Sequence, residues 1–104
     1  MCVVVVWTTT PDLKTARKLA RLLMDRKLAA CVSFREGFES VYRWKGNIER
    51  ASEVLLLIKT SASRLALLEK VIRKNHSYDV PEFLVFPVSK VSAEYGAWLR
   101  DCLK

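Results

Sequence analysis

Glycine and proline are scarce in this chain, with three of each in 104 residues. No glycine-rich phosphate cradle can be built from Gly37, Gly46 and Gly96, which stand far apart. Histidine occurs once, at His76. A stable transition-metal site needs three or four ligands, so one histidine with nearby carboxylates is a weak metal signal within a single chain. The three cysteines, Cys2, Cys31 and Cys102, are odd in number and show no CxxC spacing. That excludes a disulfide framework and a cysteine-rich zinc site, and it points to a reducing, cytoplasmic setting. No apolar run approaches the length of a membrane span, and the short run Val3 to Val6 has no basic segment before it. Ser-His-Asp and other recognised catalytic signatures are also missing.

What is present reads as one domain over residues 1–104. Half of the composition is hydrophobic, at 51%, which argues against disorder and supplies a real core. The net charge is +7, from 18 basic and 11 acidic residues. Lys14, Arg17, Lys18 and Arg21 share one face of a first helix. A solvated helix face explains them better than a nucleic-acid surface does.

The pattern predicts a first strand over Met1 to Thr8. A helix follows, with Thr10 as its N-cap, Pro11 in its first turn, and Leu13, Ala16, Ala20 and Leu23 as its core stripe. From Leu28 to Thr60 the chain reads as one long β-hairpin turning at Gly46-Asn47, with a bend or bulge at Gly37. On its first arm Val32, Phe34, Phe38, Tyr42 and Trp44 share one parity, and Ser33, Arg35, Glu39 and Arg43 share the other. The second arm, Val54 to Ile58, is apolar at every position. A second helix is expected over Ser61 to Lys74, with Leu65, Leu68 and Ile72 inward. An irregular polar segment around His76 and Pro81 comes next, then a fourth strand over Phe83 to Val88. A last helix over Ser92 to Leu103 carries Tyr95, Trp98, Leu99 and Cys102 on its stripe.

The order β-α-β-β-α-β with a terminal helix predicts an α+β, ferredoxin-like sandwich. Two helices cover only one face of such a sheet. Three of its four strands are nevertheless apolar on both faces, and one short helix cannot roof the other face. The sequence therefore calls for a homo-oligomer, with the hairpin as the exchanged arm and Tyr42 and Trp44 as interface anchors. Tyr42 to Lys45 could instead stack nucleic-acid bases, but Val3 to Val6 and Val54 to Ile58 carry no aromatics, which weighs against an RNA-recognition domain. Cys31 reads as a small buried hydrophobe more readily than as a nucleophile paired with His76.

Leu28-Ala29-Ala30-Cys31-Val32, Val41-Tyr42-Arg43-Trp44-Lys45-Gly46, Glu53-Val54 to Lys59-Thr60, and His76-Ser77-Tyr78-Asp79-Val80-Pro81-Glu82 together closely resemble the CutA divalent-cation-tolerance family. The resemblance covers essentially the whole chain in order. It implies a non-enzymatic homotrimer built by strand pairing between subunits, linked to tolerance of copper and other divalent cations. It implies metal binding, with His76 as the ligand this chain retains, since Thr8 and Asn75 stand where some bacterial members have Cys and His. It also implies an inter-subunit cleft lined by Cys31, Trp44, Lys59, Tyr78 and Glu82. The likeness of the trimer to PII signalling proteins implies a small-ligand sensor as the alternative. Animal relatives, associated with anchoring acetylcholinesterase, suggest a protein partner.

Overall fold

Four strands and three helices follow one another as β1 (Val3–Thr10), α1 (Leu13–Asp25), β2 (Cys31–Trp44), β3 (Asn47–Ser61), α2 (Leu65–Lys74), β4 (Leu84–Pro87) and α3 (Ala93–Cys102). The structure is a computed structural model describing residues 1–104. The strands form one sheet in the order β2-β3-β1-β4, antiparallel at every step.

Val6, Val54, Leu56 and Ile58 point to one face of the sheet. There they bury against Ala16, Leu19 and Leu23 of α1 and Leu68, Val71 and Ile72 of α2. Leu19 and Val71 complete stripes that periodicity had only partly marked. Helix α1 starts later than expected. Thr10 stays in β1, paired with Val54. The cap is Asp12, whose carboxylate accepts the Thr15 N–H at 2.8 Å. Pro11 therefore precedes the cap instead of following it. The helix ends on Lys27 at φ 54°, where the Leu28 N–H reaches the Leu23 carbonyl and the Lys27 N–H reaches that of Met24. This pairing closes the last turn without a glycine.

The hairpin turns one residue earlier than expected. Trp44 pairs with Asn47, so the two turn residues are Lys45 and Gly46, both at positive φ (51° and 83°). That is the pattern of a type I′ turn, whose twist suits the flanking strands. Gly37, at φ 86°, sits in a bulge between Arg35 and Phe38. The bulge overturns the single parity expected of this arm. Before it, Val32 and Phe34 pair with the inward Ile58 and Leu56; after it, Phe38 pairs with Glu53, on the other face. One extra residue re-aims every side chain that follows.

On that other face α3 covers only one end. Leu99 and Leu103 bury Val3 and Ala30, with Cys102 half-buried at the edge. Tyr95 and Trp98, expected on the same stripe, stay 41% and 46% exposed and stack on each other with ring centroids 5.3 Å apart. Gly96 takes the inward position instead, beside Val91. The rest of this face holds Trp7, with the Phe38 ring edge-on at 5.9 Å and Phe86 at 6.0 Å, together with half-buried Val5, Leu55 and Leu57.

The candidate binding cleft

β1 is apolar until it reaches Thr8, Thr9 and Thr10, three threonines no more than 2% exposed. Buried hydroxyls need partners, and each of these finds one. Thr10 donates to the Asp12 carbonyl, and Thr8 donates to the Glu82 carbonyl at 2.5 Å, which holds the segment after α2 against the sheet. Thr9 turns to the other face and donates to Glu53 Oε2 at 3.1 Å, with Glu82 Oε2 next at 3.4 Å. Glu53 is 7% exposed and accepts a second bond from the Tyr78 hydroxyl at 2.9 Å.

His76 fastens the same segment from behind. Its Nε2 donates to the Thr9 carbonyl at 2.6 Å, and its Nδ1 accepts the Tyr78 N–H at 3.1 Å. A carbonyl can only accept and an N–H can only donate, so this geometry assigns the Nε2–H tautomer. The imidazole also lies against the Tyr78 ring, with centroids 4.8 Å apart. Both ring nitrogens are thus occupied inside the chain, and a metal could take His76 only after one of these bonds opens.

Between this segment and the far half of the hairpin lies a cavity of about 630 Å³. Ser40, Tyr42 and Trp44 of β2 form one wall, aimed there by the Gly37 bulge. Ser77 to Val80 and Glu82 form the opposite wall, with Thr9 and Glu53 at the base. No lysine, arginine or histidine lines it. Burial, then the hydrogen bond to Glu53 and its negative charge, push the Tyr78 hydroxyl up to about 12. Tyr78 therefore remains a donor across the physiological range.

The five cleft residues named from sequence fall into two groups. Trp44, Tyr78 and Glu82 line this cavity. Cys31 and Lys59 pair with each other across β2 and β3, and the Lys59 ammonium lies 2.8 Å from Ser33 Oγ and 3.8 Å from Cys31 Sγ. Lys59 lies six positions along β3 from Glu53, roughly 20 Å of extended chain. Cys31 has Ser33 and Lys59 beside its thiol, and both nitrogens of His76 are bonded to Thr9 and Tyr78, so the two do not form a nucleophile–base pair. No three of the His, Cys, Asp and Glu side chains gather closely enough to hold a metal ion. Thr9, Ser40, Glu53 and Asp79 join the cavity as well; Glu53 and Asp79 stand in the sequence motifs without being expected in a cleft. Three consecutive threonines ending an apolar strand, and an acid at the mouth of the run Val54–Ile58, were the available signals.

Fold and cleft define an α+β protein whose four-stranded sheet carries helices over one face and an acidic, aromatic cavity at one end of the other. The family model for the CutA1 divalent ion tolerance protein matches residues 4–102, and the chain belongs to that family. It is 43% identical over 98 residues to the chloroplastic protein CutA of Arabidopsis thaliana. That match covers 94% of this chain and 54% of the relative, so the chain spans about half the length of the plant protein. With the divalent-cation tolerance protein CutA of Pectobacterium atrosepticum, identity is 42% over 101 residues, covering 97% of this chain and 92% of the other. The crystal structure of CutA1 from Oryza sativa superimposes with a TM-score of 0.96 at 38% identity, over 100% of this chain and 95% of that one. The periplasmic divalent cation tolerance protein CutA of Archaeoglobus fulgidus gives 0.95 at 28% identity, over 98% and 99%.

Proposed function

We propose that this protein is a non-catalytic homotrimer acting in divalent-cation tolerance, with the Glu53–Tyr78–Glu82 cavity as one half of an inter-subunit ligand cleft. The observation that carries this reading is the division of the sequence-named cleft residues. Trp44, Tyr78 and Glu82 sit at one end of the sheet, and Cys31 and Lys59 sit at the other, on a face that α3 leaves mostly bare. On this reading the two ends meet where the cavity end of one copy packs against the Lys59 end of the next, as successive subunits of a closed ring do. On this reading the cleft takes a small ligand, as in a PII-like sensor, and His76 shapes it by fixing the loop.

Direct metal binding is the second reading, favoured by the names of the relatives as divalent-cation tolerance proteins and by the presence of the chain's one imidazole beside the cavity. Calorimetric titration with Cu²⁺ of the wild type, His76→Ala and Glu82→Gln separates the two. If His76 is a ligand, its loss abolishes copper binding while Glu82→Gln binds normally. If His76 only anchors the loop, copper binding is weak and equal in the wild type and His76→Ala. A nucleotide and metabolite thermal-shift screen then finds a stabilising ligand, whose effect Glu82→Gln removes. Silence across that screen counts against the ligand cleft.

A further inference from the structure

In a chain where basic residues outnumber acidic ones 18 to 11, the 630 Å³ cavity is lined by Glu53, Asp79 and Glu82 and by no cationic residue; the Lys45 ammonium, outside the lining, lies 5.9 Å from the centre of the Trp44 ring. Its remaining large groups are the rings of Tyr42, Trp44 and Tyr78. The hydrogen bonds within it are unbalanced in the same direction. Glu53 receives both of its donors, Thr9 and Tyr78, on Oε2, and its other oxygen accepts no bond from the chain. Glu82 Oε2 must share the single Thr9 hydroxyl proton with Glu53, at the longer distance of 3.4 Å. A carboxylate offers about four acceptor sites, so acceptors here far exceed donors. The volume suits a small organic molecule and is far larger than a bare ion needs.

We propose that the cavity binds a protonated primary amine, whose N–H groups supply the donors that Glu53 and Glu82 lack while its charge and methylenes lie against Trp44 and Tyr78. An ammonium meets both requirements at once, since aromatic faces attract cations and carboxylates accept their N–H bonds. A quaternary ammonium brings the charge without the donors, and an anion brings neither. The inference rests on the cleft reading above and names its ligand class. If a neighbouring copy adds its Lys59 to the cleft, the acids remain ahead by three to one.

The test is calorimetric titration of the full chain with putrescine, and with butanediol and succinate as neutral and anionic molecules of the same length. Putrescine is expected to bind and the other two to fail. Trp44→Leu, which keeps an apolar side chain at a position 40% exposed in the single chain, is expected to weaken putrescine about five- to thirtyfold while leaving the sedimenting mass unchanged. Glu82→Gln is expected to weaken it by at least as much. Butanediol or succinate binding as tightly as putrescine overturns the proposal, as does choline binding more tightly. Putrescine binding unchanged in both variants also overturns it, because the amine would then be held elsewhere. A cleft that ignores putrescine, butanediol, succinate and choline yet binds Cu²⁺ or a screened metabolite in a Glu82-dependent way overturns the amine alone. A cleft silent to every ligand overturns both readings.

Discussion

Tyr78 is the residue on which the cleft turns. Its hydroxyl is one of two donors to Glu53, a carboxylate almost shut off from water. Tyr78→Phe removes that donor and keeps the ring, and it is expected to cost about 1–3 kcal/mol in urea denaturation at neutral pH. The same contact sets a pH dependence. The phenol ionises near 10.0 in the unfolded chain and near 12 in the folded one. Between those values the unfolded state has released a proton that the folded state still holds, so stability falls as pH rises through this window. Wild type is expected to show this alkaline loss in denaturation curves and Tyr78→Phe to lack it; an equal slope in both would clear Tyr78. Asp12 acts at the acid end. The Thr15 backbone N–H at its carboxylate, then the Thr15 side chain, hold it below the ordinary 3.8, so its capping contribution is present above that value and lost as pH falls.

At the scale of elements, the hairpin owes its role to one bulge. Without the extra residue at Gly37, Tyr42 and Trp44 would face the helices, and the cavity would lose a wall. A methyl group at Gly37 meets nothing within 4 Å, so the obstacle is the backbone alone, at φ 86°. Gly37→Ala is expected to destabilise the fold by about 1–2 kcal/mol through the left-handed conformation. It is also expected to disturb the Trp7–Phe38 contact, which near-ultraviolet circular dichroism reads. A Gly37→Ala variant with unchanged stability and spectrum would mean that the strand pairs in a continuous register. The bulge was legible in the sequence as a lone glycine within a strand pattern, but its effect on parity was not. Alternation counts residues along one strand, whereas facing is fixed by the partner strand, and only pairing shows that Phe38 lies opposite Glu53.

At the scale of the molecule, the two sheet faces are unequal. α1 and α2 seal one, while α3 buries only the Val3 end of the other. Phe38, Leu84 and Phe86 remain 38–48% exposed, and Trp7 lies half-covered among them. An apolar strip of this kind is unusual on a monomer. Sedimentation equilibrium at micromolar concentration is expected to give a mass near three times 11.9 kDa. Phe38→Asp, which puts a charge in the middle of the strip, is expected to shift the protein toward monomer. A wild type that sediments as a stable monomer would remove the trimer and the shared cleft with it.

The sequence by itself determined the elements, their order, and the surplus of apolar strand surface, because these depend on local periodicity and composition. It carried the family as well, in motifs spread from Leu28 to Glu82. Its errors lay where one residue decides a boundary: Asp12 caps α1 in place of Thr10, and Lys45-Gly46 turn the hairpin in place of Gly46-Asn47. Only the tertiary structure decided the cleft. Thr9, Glu53 and Tyr78 are 25 to 69 positions apart in the chain and meet because β1 pairs with β3 and the loop after α2 folds back onto both. The environment of each group follows from that meeting. Glu53 is one letter of a motif in the sequence and a buried carboxylate with two hydrogen-bond donors in the fold. His76 stands out in the sequence as the only imidazole, and in the fold it has both nitrogens tied to backbone.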